Sequence, residues 1–337
     1  MRLGRRRDGE DPAYWAVRLD PSNPQYRLAL WTRVWSSLPD RWREKYEEGD
    51  LKTVQSPEAE QLSKLMLDVV SRDPFVQPFV WNVCLPGVAE LKNRLRAGMI
   101  DAHYGCYERA VTELGEALTQ HPDTIPARYE RARSLFMLGR YDSTAVEIER
   151  LLQTLSRREQ KQLVFSFQTR EIMEYMLGIT YAKIQDFYRA RLAFEEAIGS
   201  NLGFYMAHAR LAGAALAQSN DTVTALREYD LAVQLKGDDA VLRADYGVAL
   251  LIAQHNTEAA EQFRKAIELE PYWAAPYYNL GIALDRLGQR AEAMKQYIAF
   301  LQRAPLRLDA QIGLAQGRLL ALADSTTAAG QAPPPPP

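Results

Sequence analysis

The sequence predicts an all-α solenoid of antiparallel helix pairs closed by a C-terminal capping helix. Three observations predict it. First, small and aromatic residues recur in phase: Ala190, Ala225, Ala259 and Ala293 are separated by 35, 34 and 34 residues, and Gly178, Gly213, Gly247 and Gly281 by the same steps. Second, each period holds two apolar stripes at spacings of three and four, the signature of paired amphipathic helices. Third, a turn glycine and a closing proline punctuate the period, as Gly288 and Pro305 do in the last one. Self-similarity at this length marks hairpins that cannot bury their apolar faces alone and must stack.

The last full period shows the logic most plainly. Residues 275–287 place Tyr277, Leu280, Gly281 and Leu284 on one helical face, and residues 290–302 place Ala293, Tyr297 and Phe300 on another. The glycine lies where the two helices of a pair come closest, with the alanine as its small partner. Phe194, Tyr229, Phe263 and Tyr297 are expected to fill the gap to the next pair, where truncation to alanine costs about 3–5 kcal/mol. Two earlier periods keep the phase through Gly98, Ala110, Leu114, Ala117 and Pro122, then through Ala132, Leu135, Gly139, Tyr141, Thr144 and Ile148. The second of these is degenerate, with Arg131 where leucine is expected and Thr144 in the alanine position unless the register slips to Ala145. The step from Ala132 to Gly178 is 46 residues, so about a dozen are inserted near residues 156–169. With no Gly or Pro before Gly178, that insertion reads as a lengthened helix or an extra turn.

These residues resemble the tetratricopeptide repeat (TPR) family: an aromatic or apolar residue, Leu-Gly, a small residue early in the second helix, an aromatic four later and a closing proline. The resemblance covers roughly residues 91–305, about six units, and is most specific in the last two. It implies a right-handed superhelix with a concave groove that holds partner proteins without catalysis. On that basis the first helices present Leu95 and Met99, Tyr129 and Arg133, Tyr175 and Ile179, Arg210 and Ala214, Ala244 and Val248, and Tyr278 and Ile282. The strip is apolar and aromatic, which marks an interaction site, with Arg133 and Arg210 expected to orient polar groups. Some family members clamp acidic C-termini of chaperones with lysine, arginine and asparagine. Here Tyr175, Arg210, Ala244 and Tyr278 fill one clamp-type row and Ile179, Ala214, Val248 and Ile282 the other, with only Asn279 of the right type. A peptide or helix laid on apolar pockets fits better.

Outside the array, residues 1–12 read as a disordered basic terminus, and residues 13–90 as a helical region of divergent repeats or a separate cap. Within it Ala16 to Pro21 resembles the end of a second repeat helix, so the chain starts inside a longer one or carries a half-repeat cap. Ser56 and Pro57 open a further helix with stripe Leu62, Leu65, Met66 and Val69. Residues 306–323 form the capping helix, with Ile312, Leu314, Leu319 and Leu322 among its apolar residues. Residues 324–337 read as a disordered proline-rich tail able to engage an SH3- or WW-type groove.

Composition narrows the function classes. A formal net charge of −2 argues against nucleic acid as a partner. No apolar run reaches the length of a membrane span, and no apolar segment follows the arginines at the start. His103, His121, His208 and His255 fall in separate units without ligand spacing, and Glu195-Glu196 and Asp238-Asp239 are assigned to solvent faces or turns. Cys84 and Cys106 match no metal or redox motif and read as ordinary buried residues, consistent with a reducing compartment. The expectation is therefore a non-enzymatic scaffold with no cofactor or metal. Its partner is a protein or peptide, and its place the cytoplasm, or a membrane or the exterior if a leading segment is missing. The rival readings are self-assembly and the repeat-bearing part of a larger membrane-associated or glycan-handling enzyme.

Overall fold

The computed structural model describes residues 12–21, 23, 26, 29–30, 94–103, 105–154 and 169–329. The described residues form α-helices and one short 3-10 turn. Chain contacts divide the protein into two compact units, one of residues 27–221 and one of residues 222–337 with residues 1–26. The helix expected from Ser56 lies outside the described residues, as does most of the 13–90 region.

The first unit runs through four helix pairs or parts of pairs. They are α2 (Arg94–His103) with α3 (Tyr107–Gln120), α4 (Ile125–Met137) with α5 (Tyr141–Thr154), α6 (Arg170–Lys183) with α7 (Phe187–Ser200), and then α8 (Tyr205–Ser219). The second unit holds α1 (Pro12–Leu19) and α9 (Thr222–Leu235). Then come α10 (Ala240–Ile252) with α11 (Asn256–Leu269), α12 (Ala274–Arg286) with α13 (Arg290–Leu301), a 3-10 turn (Leu306–Leu308) and α14 (Asp309–Ala329). Within each unit consecutive helices pack on one another, as a repeat array requires. Sequence reading placed the α12–α13 hairpin within one residue at each end.

The recurring glycines have a sharper role than close approach alone. A Cβ at Gly247 would lie 2.6 Å from the Phe263 ring, at Gly281 2.7 Å from the Tyr297 ring, and at Gly98 2.5 Å from Leu114 Cγ. Gly178 meets Phe194 in the same way. Each glycine is thus a socket for the aromatic or leucine of its own hairpin's second helix. The aromatics were expected to span the gap to the next pair; instead they seal the pair itself. The alanines Ala190, Ala225, Ala259 and Ala293 are fully buried as expected. Turn residues Gly139 and Gly288 both adopt φ +73°, the left-handed region that ends a helix.

The degenerate second pair has its own chemistry. Arg131, in the leucine position, reaches Glu147 on α5, which also takes Arg128 at 2.8 Å. A charge cluster replaces an apolar contact there. No register slip is needed, because Thr144 is fully buried and donates to the Arg140 carbonyl at 3.0 Å. The insertion is not a lengthening of α6, which begins at Arg170 behind Thr169 in extended conformation; residues 155–168 lie outside the described residues. The tail boundary also shifts, since α14 continues to Ala329, so residues 324–329 are helical. Asp239 closes the turn before α10, the second of the two expected placements; it is 5 % exposed and caps α10 by accepting from the Val241 and Leu242 amides at 3.0 and 3.1 Å. Cys106 is 5 % exposed and disulfide-bonded rather than a free thiol. The other cysteine in the sequence, Cys84, lies outside the described residues.

Candidate functional site

The first helices of the pairs divide the expected groove residues sharply by burial. In the first unit Tyr129, Arg133, Tyr175 and Ala214 are buried, Leu95 and Ile179 half-buried, and Met99 and Arg210 exposed. Tyr175 is fully enclosed, its ring 4.8 Å from that of Phe204 and 5.8 Å from that of Phe194. Tyr129 belongs to the same core. Arg133 is fully buried and donates to the Ala102 carbonyl at 3.0 Å while pairing with Glu130 at 2.8 Å. It ties α4 to α2 and is not placed to orient a ligand. A glutamate at position 175 would bury a charge among aromatic rings, so Tyr175→Glu unfolds the pair instead of testing a surface.

The second unit keeps an open stripe. Val248 on α10 is 37 % exposed and Ile282 on α12 is half-buried, while Ala244 packs inward against Trp273. Tyr278 is half-buried over Phe300, ring centroids 5.1 Å apart, and burial holds its hydroxyl above the usual tyrosine pKa. The 34-residue step relates Val248 to Ile282, and a 35-residue step relates Ile282 to Gly317 on α14. The same steps relate Asp245 to Asn279 and Leu314. Leu314 is 63 % exposed, and Ile252, one turn beyond Val248 on α10, is 43 % exposed. The face therefore holds Val248 and Ile282 in register over two first helices, with Ile252 one turn beyond Val248; Leu314 belongs to the separate Asp245–Asn279 row. Asp245 stands at one end of it. At the other, Arg286 is anchored by donation to the Leu251 carbonyl at 2.8 Å.

Ile252 and Leu314 were missed as site residues. Carrying the repeat step one helix past the last proline takes the two expected rows to Gly313 and Gly317 on α14, so Leu314 has no counterpart among the expected residues. The inward face of α14 is formed by Ile312, Ala315, Leu319 and Leu322, packed on the second unit's core. Leu314, expected among the capping residues, points outward. Among the described residues no group of three or more His, Cys, Asp or Glu side chains is arranged to hold a metal ion.

Sequence models of the tetratricopeptide repeat match residues 175–240 and 274–305. The chain carries tetratricopeptide repeats over those residues. Its repeats resemble those of Protein STIP1 homolog from Dictyostelium discoideum, 33 % identical over 93 residues. They also resemble tetratricopeptide repeat protein 28 of mouse and human, 26 % identical over 99 residues. The aligned stretch is 28 % of this chain and 16 % of the first relative, and 29 % and 4 % for the second. Among solved structures, the C-terminal part of a TPR repeat-containing protein from Cytophaga hutchinsonii superposes with a TM-score of 0.59. It covers 69 % of this chain and 88 % of that one at 13 % identity. At that identity the likeness shows the fold alone. No described helix of this TPR chain is long and apolar enough to cross a membrane.

Proposed function

We propose that this TPR chain is a non-catalytic scaffold that binds a peptide or a helix of a partner protein on the first-helix stripe of its second unit. The observation that carries the reading is the apolar face of exposed Val248 and Ile252 on α10 with half-buried Ile282 one repeat step on from Val248. Contiguous exposed apolar side chains on a folded array mark an interaction surface. Asp245 and Arg286 at its ends would fix the direction of the bound segment. Micromolar affinity, about −8 kcal/mol, is ordinary for a groove of this kind. The test is affinity purification of the tagged chain from its native lysate beside a Val248→Glu/Ile282→Glu variant. A protein recovered by the first and lost by the second, with helicity unchanged, supports the stripe. Recovery of the same proteins by both refutes it.

Self-association is the second reading, favoured by Leu314 and Leu320, 63 % and 69 % exposed on the last helix. A rise of molar mass with concentration in light scattering, abolished by Leu314→Glu/Leu320→Glu, supports it.

A further inference from the structure

The second unit carries a contact that the repeat does not explain. Helix α1 has no buried residue of its own, yet it is fastened by side chains to the junction before α12 and to the 3-10 turn before α14. The Trp15 ring meets Tyr272 edge-on, centroids 4.9 Å apart at 80°. The Arg18 guanidinium lies 5.4 Å above the Tyr272 ring and 3.6 Å from the Glu270 carboxylate. Asp20 takes Arg307 at 2.5 Å. Trp15, Arg18 and Asp20 follow one another at i, i+3 and i+5, which brings ring, cation and acid to one edge of a short helix and its exit.

The receiving surface is rigid before anything docks. Tyr277 donates its hydroxyl to the Pro271 carbonyl at 2.9 Å, and Arg303 donates to the same oxygen at 3.1 Å while stacking 4.4 Å from the Tyr277 ring. The segment Glu270-Pro271-Tyr272 is thus held by two side chains, Tyr277 from α12 and Arg303 from the turn after α13. Glu270 and Asp20 also close comparable segments, Ala266 to Pro271 and Ala16 to Pro21, and each acid receives an arginine from the other side of the contact. This charge exchange is complementary in both directions. A preorganised surface met by a lightly held helix is the design of an exchangeable ligand.

We propose that Glu270, Tyr272 and Arg307 form a docking site for a short helix bearing aromatic, arginine and acid at i, i+3 and i+5. Helix α1 occupies it in cis, and the α1 segment of a second copy of this chain occupies it in trans when the cis helix releases. The site is built at the hairpin junctions, shares no residue with the Val248–Ile282 stripe, and does not depend on that stripe binding anything.

The probe is a fluorescent peptide of residues 10–23, titrated against the full chain by anisotropy. The Trp15→Ala/Arg18→Ala chain empties the site. Wild type binds only through its open fraction, so the emptied chain should bind about tenfold tighter or more. Adding Tyr272→Ala/Arg307→Glu should abolish binding. Equal affinity for wild type and the emptied chain, absence of binding to the emptied chain, or binding that survives the Tyr272/Arg307 changes overturns the proposal. Hydrogen exchange on the same full-length proteins separates docking from folding. Emptying the site should speed exchange at residues 270–273 and 305–308 and leave residues 125–154 unchanged; no change at 270–273 also overturns it.

Discussion

Gly247→Ala tests whether the glycine sockets hold the hairpins together. Replacing glycine by alanine inside a helix gains about 1 kcal/mol of helix propensity where space is open. At Gly247 space is not open. The new methyl would lie 2.6, 2.8 and 2.9 Å from three carbons of the Phe263 ring, and that ring is fully buried in the second unit's core with no exposed direction to move. Overpacking of this kind costs about 1–3 kcal/mol, so the propensity gain is cancelled and the net effect is a loss of up to about 2 kcal/mol. Gly313 on α14 is the control. A Cβ there meets nothing within 4 Å, so Gly313→Ala in the same unit should stabilise by up to about 1 kcal/mol. Urea unfolding of both full-length variants, followed by far-UV circular dichroism, gives the comparison. A Gly247→Ala protein as stable as Gly313→Ala, with an unchanged slope, would refute the socket argument.

Three further outcomes follow from the described geometry. Glu147 is 3 % exposed and serves Arg128 and Arg131, so Glu147→Ala leaves buried Arg128 uncompensated and should cost about 3–5 kcal/mol in thermal or chemical unfolding. Burial pushes the hydroxyls of Tyr129 and Tyr297 up to about 12, with Asp285 adding to the effect at Tyr297. Below about pH 10 these phenols are neutral in both folded and unfolded chains; above it the unfolded chain ionises first, so stability falls between pH 10 and 12 by up to about 3 kcal/mol per tyrosine. An alkaline melting series should show that loss, and Tyr129→Phe should move the midpoint upward. A thiol-reactive label should not modify the native chain at Cys106 until a reductant is added.

Much of the fold is legible in the sequence because a repeat states its rule several times. One hairpin's Leu-Gly is ambiguous; Gly178, Gly213, Gly247 and Gly281 in phase are not. The α12–α13 boundaries follow from Gly288 and Pro305, which act locally on the backbone. The site was less legible, because periodicity tells which face a residue shares and not what covers that face. Tyr129 and Tyr175 sit in the same register as Tyr278, yet the first two are enclosed by core and only Tyr278 reaches solvent. Arg133 reads as a surface arginine until the Ala102 carbonyl is seen to receive it. The pairing of Trp15 with Tyr272 leaves no local trace, since neither segment alone specifies the other.

That pairing also sets an order of events during synthesis. Among the described residues most other helix contacts join helices adjacent in the chain, so each hairpin can close soon after it emerges from the ribosome. Helix α1 is made more than 250 residues before its seat at Tyr272 and Arg307. Over that interval Tyr14, Trp15 and Arg18 stand without their seat, a short aromatic and cationic handle offered to whatever attends the nascent chain.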